Sequence, residues 1–208
     1  MAIKQGRLIV LEGGEGAGKS THAHFVREWL EAQGRTVVLT REPGGTPLAE
    51  AIRTVLLDKD SAGMSPMTEL LLMFAARAAH VRDLIRPALV SGNDVVCDRF
   101  VDASYAYQGG GRGIASSQIA QLENMTLDGL KPDRVIIFDL PPSLGLQRTQ
   151  KRGEQNRFEA ETLAFMERVR QVYLDRAHHE PTRYRLVDAS GSLEEVQTRL
   201  KTVLEQLR

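Results

Sequence analysis

The run Gly13-Gly14-Glu15-Gly16-Ala17-Gly18-Lys19-Ser20-Thr21 carries the sharpest chemical signal in the chain. Gly13 to Ser20 fit the pattern G-x-x-x-x-G-K-[ST]. They follow an aliphatic stretch from Arg7 to Glu12 and lead into residues of helical periodicity, which is the setting this pattern needs. Glycines let the backbone curl until successive amide N–H groups point inward at phosphate oxygens, and the following helix adds the positive end of its dipole. Lys19 is then expected at the β- and γ-phosphates of a nucleoside triphosphate, and the Ser20 hydroxyl at Mg²⁺. The bland alternative is a glycine-rich turn that holds nothing, and placement between a strand and a helix weighs against it.

Such a site usually needs a carboxylate at the end of a neighbouring strand to orient hydrated Mg²⁺. Asp98 closes the run Asp94-Val95-Val96-Cys97-Asp98 and is followed by Arg99, whose guanidinium can grip phosphate in a fork. Asp139 closes a similar run and is the rival, ranked below Asp98 because it lacks the adjacent arginine. A surface ion pair at a strand end would be the uninformative reading of Asp98-Arg99. From Gln147 to Glu159 the sequence sets Arg148, Lys151, Arg152 and Arg157 around Gly153. This is a candidate lid whose arginines could close over a transferring phosphoryl group. Charges on a solvated helix are the alternative, and which arginine would act stays open.

Positioning these groups requires strands that end together. Arg7–Glu12, Thr36–Thr40, Asp94–Asp98, Arg134–Leu140 and Tyr184–Val187 read as short buried strands. They alternate with helical patterns over Lys19–Ala32, Leu48–Leu57, Met67–Leu89, Ser116–Leu127, Leu144–Lys151, Glu159–His178 and Leu193–Leu207. Strands alternating with helices imply an α/β fold with a parallel sheet covered on both faces. Gly34 and Gly92 read as helix stops, and Ser192 with Glu195 as a capping box.

The chain has 208 residues, 42% of them hydrophobic, which suits one domain. Its 27 basic and 27 acidic residues balance, so the footprint of a dedicated nucleic-acid binder is missing. No apolar stretch approaches the roughly 18 residues of a membrane span, and no signal peptide is evident, so a cytoplasmic setting is expected. The lone Cys97 reads as a core residue. No Asn-Lys-x-Asp guanine-reading sequence is present, which disfavours a GTPase. Small size and balanced charge disfavour a motor or helicase, leaving a small-molecule kinase as the expected class. Trp29 reads as core, His178-His179 as a helix end, and His80 as packing or polar edge.

Several segments taken together resemble bacterial thymidylate kinases. They are Glu12 to Thr21, Thr40-Arg41-Glu42-Pro43-Gly44-Gly45-Thr46, Phe74-Ala75-Ala76-Arg77, Asp98-Arg99-Phe100, Ala106 to Gly113, and the lid. The resemblance runs over nearly the whole chain. It implies a five-stranded parallel sheet, ATP with Mg²⁺, thymidine monophosphate as acceptor, and a homodimer. By position, Arg99 resembles the arginine that bridges donor and acceptor phosphates. Arg53 resembles a second basic group on the acceptor side, where Glu42 and Pro43 also fall. Glu15 resembles an acidic residue that contacts the acceptor sugar or its metal. Arg77, Ser104 and Gln108 resemble the groups that read the thymine edge, and Tyr107 a tyrosine that crowds the sugar 2′ position. The stacking aromatic is expected four residues before Arg77, where Met73 stands, so either Phe74 or Met73 meets the base. Between Gly13 and Gly18 no arginine is present, unlike one branch of the family, so the lid arginines are expected to supply that charge.

Overall fold

A computed structural model describes residues 5–61, 63–151 and 156–206. The sheet comprises β1 (Leu8–Gly13), β2 (Val37–Arg41), β3 (Asp94–Asp98), β4 (Arg134–Asp139) and β5 (Tyr184–Asp188). All pairings are parallel, in the order β2-β3-β1-β4-β5. The central strand β1 is buried along its whole length. Its side chains alternate between two cores: Leu8 and Val10 join one, Ile9 and Leu11 the other. The first core takes Phe74, Phe100, Val169 and Tyr173, and the second takes Val26, Leu30, Phe138 and Leu200. Each such fully buried aliphatic side chain contributes about 1.5–3 kcal/mol.

The helices are α1 (Lys19–Glu31), α2 (Pro47–Leu57), α3 (Pro66–His80), α4 (Arg86–Val90), α5 (Val101–Ser104), α6 (Ser116–Leu127), α7 (Pro142–Gln150), α8 (Leu163–His179) and α9 (Leu193–Glu205). Starts follow side-chain caps. Thr46 and Ser65 accept from the amides of Ala49 and Thr68, each with a proline at the first helical position. Ser192 and Glu195 form the expected capping box.

Two expected helices differ. The stretch Met67–Leu89 is broken by a π-helical turn, Val81–Ile85, between α3 and α4. Pro87 has no N–H to give and crowds the carbonyl four residues back; the Arg86 amide reaches Val81 O instead. The helix expected from Glu159 begins at Leu163, because the Thr162 hydroxyl caps the Phe165 amide. A helical stretch was not expected at all: α5 runs into a π-helical segment, Tyr105–Gly111. Its three glycines read as loop, yet Arg168 on α8 donates to the carbonyls of Gly110 and Gly111 and holds the segment in place.

The sheet's two ends differ in chemistry. At the amino end Asp94 is fully buried and takes bonds from both Arg7 and Arg35, which hold its carboxyl down to about 2 although burial alone would raise it. At the carboxyl end β1 delivers the glycine loop, β3 delivers Asp98-Arg99, and β2 leads to Glu42. Ligands of open parallel sheets settle at this end. Among the described residues no helix is long and apolar enough to cross a membrane.

Candidate active site

A cleft of about 410 Å³ opens over the carboxyl ends of β1 and β3 and is lined by Gly16 and Gly18 to Thr21 at one end and Arg77, Ser104 and Gln108 at the other. At the first end Lys19, buried, folds back on the loop and donates to Gly13 O at 3.0 Å and Gly14 O at 2.7 Å. Burial, and then the charge of Arg99, push its ammonium down to about 8. Ser20 Oγ donates to Asp98 Oδ2 at 2.6 Å, so the hydroxyl and carboxylate expected at one cation do stand together. Asp139, the rival, is held by Arg170 through bonds of 2.6 and 2.9 Å.

The loop rests on α7 through two glycines. A Cβ on Gly145 would lie 2.3 Å from Glu15 O, and one on Gly16 would lie 2.4 Å from Gly145 O. Nothing in the sequence pattern marks Gly145, since its partner is far away along the chain. Arg148, three residues further along the same helix, donates to Gly16 O and to the carbonyls of Ala189, Ser190 and Gly191. These bonds tie the glycine loop to the turn after β5, and the Arg148 side chain also lines the cleft.

The middle of the cleft is an arginine held by oxygen. Arg99 has φ 70°, an uncommon conformation for a bulky residue, and its guanidinium donates to Glu15 Oε1 at 2.7 Å and Gly13 O at 3.1 Å. Tyr107 donates to the same Glu15 oxygen at 3.0 Å, and its ring lies 4.8 Å from the guanidinium carbon. Beneath them is Glu12, fully buried. Glu12 Oε1 accepts the amides of Phe100 and Ala103, and Oε2 accepts the Tyr173 hydroxyl at 2.8 Å. Burial, with Asp102 adding to it, pushes the Glu12 carboxyl up to about 8. The carboxylate thus caps α5 from another strand and fixes the turn that presents Arg99. Sequence reasoning missed it; a charged residue at the end of an aliphatic strand was the available signal.

At the far end Arg77 is nearly fully buried. Its Nε donates to Glu42 Oε2 at 2.7 Å, Nη1 to Ser104 Oγ at 3.0 Å and Nη2 to Phe100 O at 2.9 Å. His80, expected as packing or polar edge, is completely buried, as packing requires, and bridges Glu42 Oε1 (3.0 Å) and Thr40 Oγ1 (2.8 Å). Glu42 therefore faces Arg77 and His80, orienting the arginine. Pro43, Arg53 and Met73 line the cleft, with Arg53 donating to Pro43 O at 2.7 Å. Phe74 does not line it: the ring packs in the core under the Arg77 guanidinium, 4.7 Å away. Of the two candidates for the base plate, Met73 is the one at the surface of the cleft, joined by Leu57 and Phe100.

Of the lid arginines, Arg157 is buried and turned away, with Nη1 on Glu69 Oε2 at 2.6 Å and Nε on Leu56 O at 3.1 Å. Arg152 lies outside the described residues. Among the described residues no group of three or more His, Cys, Asp or Glu could hold a metal ion.

A glycine cradle on the central strand, a hydroxyl–carboxylate pair beside it and a basic second pocket in the same cleft define a P-loop phosphotransferase. A family model described as thymidylate kinase matches residues 11–200. The chain belongs to the thymidylate kinase family and is a nucleoside monophosphate kinase. A thymidylate kinase of Pseudomonas syringae pv. tomato is 56% identical over 202 residues, covering 97% of this chain and 96% of the relative. One of Alcanivorax borkumensis is 52% identical over 203 residues, covering 98% of each. The crystal structure of thymidylate kinase from Ehrlichia chaffeensis matches with a TM-score of 0.79 at 34% identity, over 97% of this chain and 99% of that one.

Proposed function

We propose that the protein transfers the γ-phosphoryl group of ATP to thymidine monophosphate, releasing ADP and thymidine diphosphate. The observation that carries this reading is the continuity of one cleft from the Lys19 loop, past Arg99, to Arg77 and Gln108. An oxygen of the acceptor phosphate attacks the γ-phosphorus in line, and the bond to the bridging oxygen of ADP breaks. The acceptor phosphate is ionised near neutral pH, so no side chain has to remove a proton from it.

Catalysis then consists of positioning and charge neutralisation. Loop amides from Gly13 to Thr21 and the Lys19 ammonium hold the donor phosphates. Arg99, gripped by Glu15, stands between donor and acceptor, and Arg53 adds positive charge on the acceptor side. Of the lid arginines, Arg148 lines the cleft at the donor end, while Arg157 is bonded to Glu69 away from it. Ser20 and Asp98 fit a hard divalent cation that keeps most of its water: two oxygen donors 2.6 Å apart, with phosphate oxygens to complete the shell. Bound there, Mg²⁺ would neutralise charge on the phosphate oxygens. The homodimer that the resemblance implies is part of this reading.

The test is acceptor-dependent ADP release from Mg-ATP, with thymidine, deoxyuridine, uridine, cytidine, adenosine and guanosine monophosphates side by side. Thymidine monophosphate should lead, with deoxyuridine monophosphate second, because a methyl in an apolar pocket is worth only about 1–3 kcal/mol. A different leader would retain the kinase and overturn the acceptor.

A further inference from the structure

Glu69, on α3, has no part in the phosphate chemistry, yet it is fully buried and is shared by three side chains. Its Oε1 accepts from Gln108 Nε2 at 2.8 Å and from Arg112 Nε at 3.3 Å. Its Oε2 accepts from Arg112 Nη2 at 3.2 Å and Arg157 Nη1 at 2.6 Å. A carboxylate facing two guanidiniums accepts and does not donate. That settles which way the Gln108 amide points: its NH₂ must face Glu69, since turning the amide over would set carbonyl oxygen against carboxylate oxygen.

The other half of the amide, the carbonyl Oε1, has no hydrogen-bond partner among the described residues, and Gln108 lines the cleft. Arg77 lines the same end. Its bonds to Glu42, Ser104 and Phe100 use three of its five N–H groups and leave one on each terminal nitrogen. The pocket thus offers a donor and an acceptor in fixed roles. A thymine or uracil edge, with its C4 carbonyl and N3–H, complements that pair. A cytosine edge, with an amino group and a bare N3, opposes it at both positions.

We propose that Glu69 is a specificity-determining positioning residue: by locking the Gln108 amide with its carbonyl toward the cleft, it makes the base pocket accept an imide edge and reject cytosine. This rests on the acceptor reading given above. In that frame the methyl of thymine and the imide edge are read separately, the first by apolar contact and the second through Glu69.

The experiment compares kcat/KM for thymidine, deoxyuridine and deoxycytidine monophosphates in the unaltered enzyme, Glu69→Gln and Glu69→Asp. A site that reads hydrogen bonds should disfavour deoxycytidine monophosphate by roughly 10⁴-fold in the unaltered enzyme. In Glu69→Gln the neighbour can donate as well as accept, so Gln108 is free to turn and the discrimination should fall by about 10–100-fold. The thymidine-to-deoxyuridine ratio and the KM for ATP should not move. Glu69→Asp, still an acceptor only, should restore the discrimination. If Glu69→Gln lowers all three acceptors in proportion, or Glu69→Asp discriminates no better than Glu69→Gln, the proposal is overturned and Glu69 is structural. Should Glu69→Gln fail to fold, Glu69→Gln with Arg157→Met removes the guanidinium left without its partner and is read by the same ratio. Failure of the acceptor reading itself would appear first and separately, as an unaltered enzyme that does not use thymidine monophosphate.

Discussion

Replacing Gly45 with alanine tests whether the acceptor pocket is held from behind by His80. Gly45 has φ +86°, and a Cβ there would come within 2.5 Å of both His80 Nε2 and Thr40 Oγ1, the two atoms that bond each other at 2.8 Å. Neither neighbour can give way freely, since His80 is completely buried on α3 between Thr40 and Glu42. The left-handed backbone alone should cost about 1–2 kcal/mol, and loss of the Thr40–His80 hydrogen bond about 1 kcal/mol more. The expected loss of stability is therefore ~2–3 kcal/mol, read from urea unfolding by linear extrapolation. Gly34 supplies the control. Its φ is +77° and nothing lies within 4 Å of a Cβ built on it, so Gly34→Ala should show the backbone cost without the contact. The functional consequence follows through His80 to Glu42 and from Glu42 to Arg77. If the displaced histidine loosens base binding by about 1 kcal/mol, KM for thymidine monophosphate rises roughly 5-fold in Gly45→Ala. KM for ATP should be unchanged in both variants. Equal destabilisation of the two variants with an unmoved acceptor KM would refute the chain of contacts from Gly45 to Arg77.

Gly145→Ala should act on the other end of the cleft, because its Cβ would meet the Glu15 carbonyl at 2.3 Å and push the glycine loop; ATP affinity measured by calorimetry should fall at least ~10-fold, about 1.4 kcal/mol, while acceptor binding holds. Lys19→Ala should lower turnover by orders of magnitude yet leave the thermal midpoint within a few degrees, since the ammonium rests on loop carbonyls outside either core; near-normal turnover would remove Lys19 from the site. Asp94 sets an acid limit. Its carboxyl is held to about 2 in the folded chain against an ordinary 3.8, so its stabilisation is present above about pH 4 and lost as pH falls toward 2. Allowing for solvent reaching the partly exposed arginines, this is worth about 1–2 kcal/mol. Asp94→Asn should accordingly be less stable than the native chain at pH 7, and the gap should narrow measurably by pH 2.5.

The donor half of this enzyme is written in contiguous residues. A glycine loop must be local, because successive amides have to converge on one phosphate, and the helix whose dipole assists them has to start at the loop; Gly13 to Thr21 therefore declare themselves, as does Asp98 beside Arg99 at a strand end. Strand boundaries shifted by a residue or two because burial sets them, and buried runs grade into their flanks. The acceptor half is different. Arg77 could be read as a base contact only through resemblance, and the sequence left Met73 and Phe74 open because residues three and four before an arginine share its helix face; packing puts Met73 in the cleft and Phe74 in the core. Glu12, Glu69 and His80 were not legible as working residues at all. Each bonds to partners far along the chain, Tyr173 for Glu12 and Gln108 for Glu69 among them; Glu12 offered only a charge at the end of an aliphatic strand as a signal, and Glu69 in its helix offered none. The asymmetry has a physical origin. Phosphate is a uniform target that backbone amides can hold in one short loop, whereas telling thymine from cytosine requires that a particular atom of a particular side chain be presented. On the reading proposed above, Gln108 and Arg77 carry the right groups in any conformation, and the buried carboxylates that leave each one way to face the cleft are what would make them a reading head.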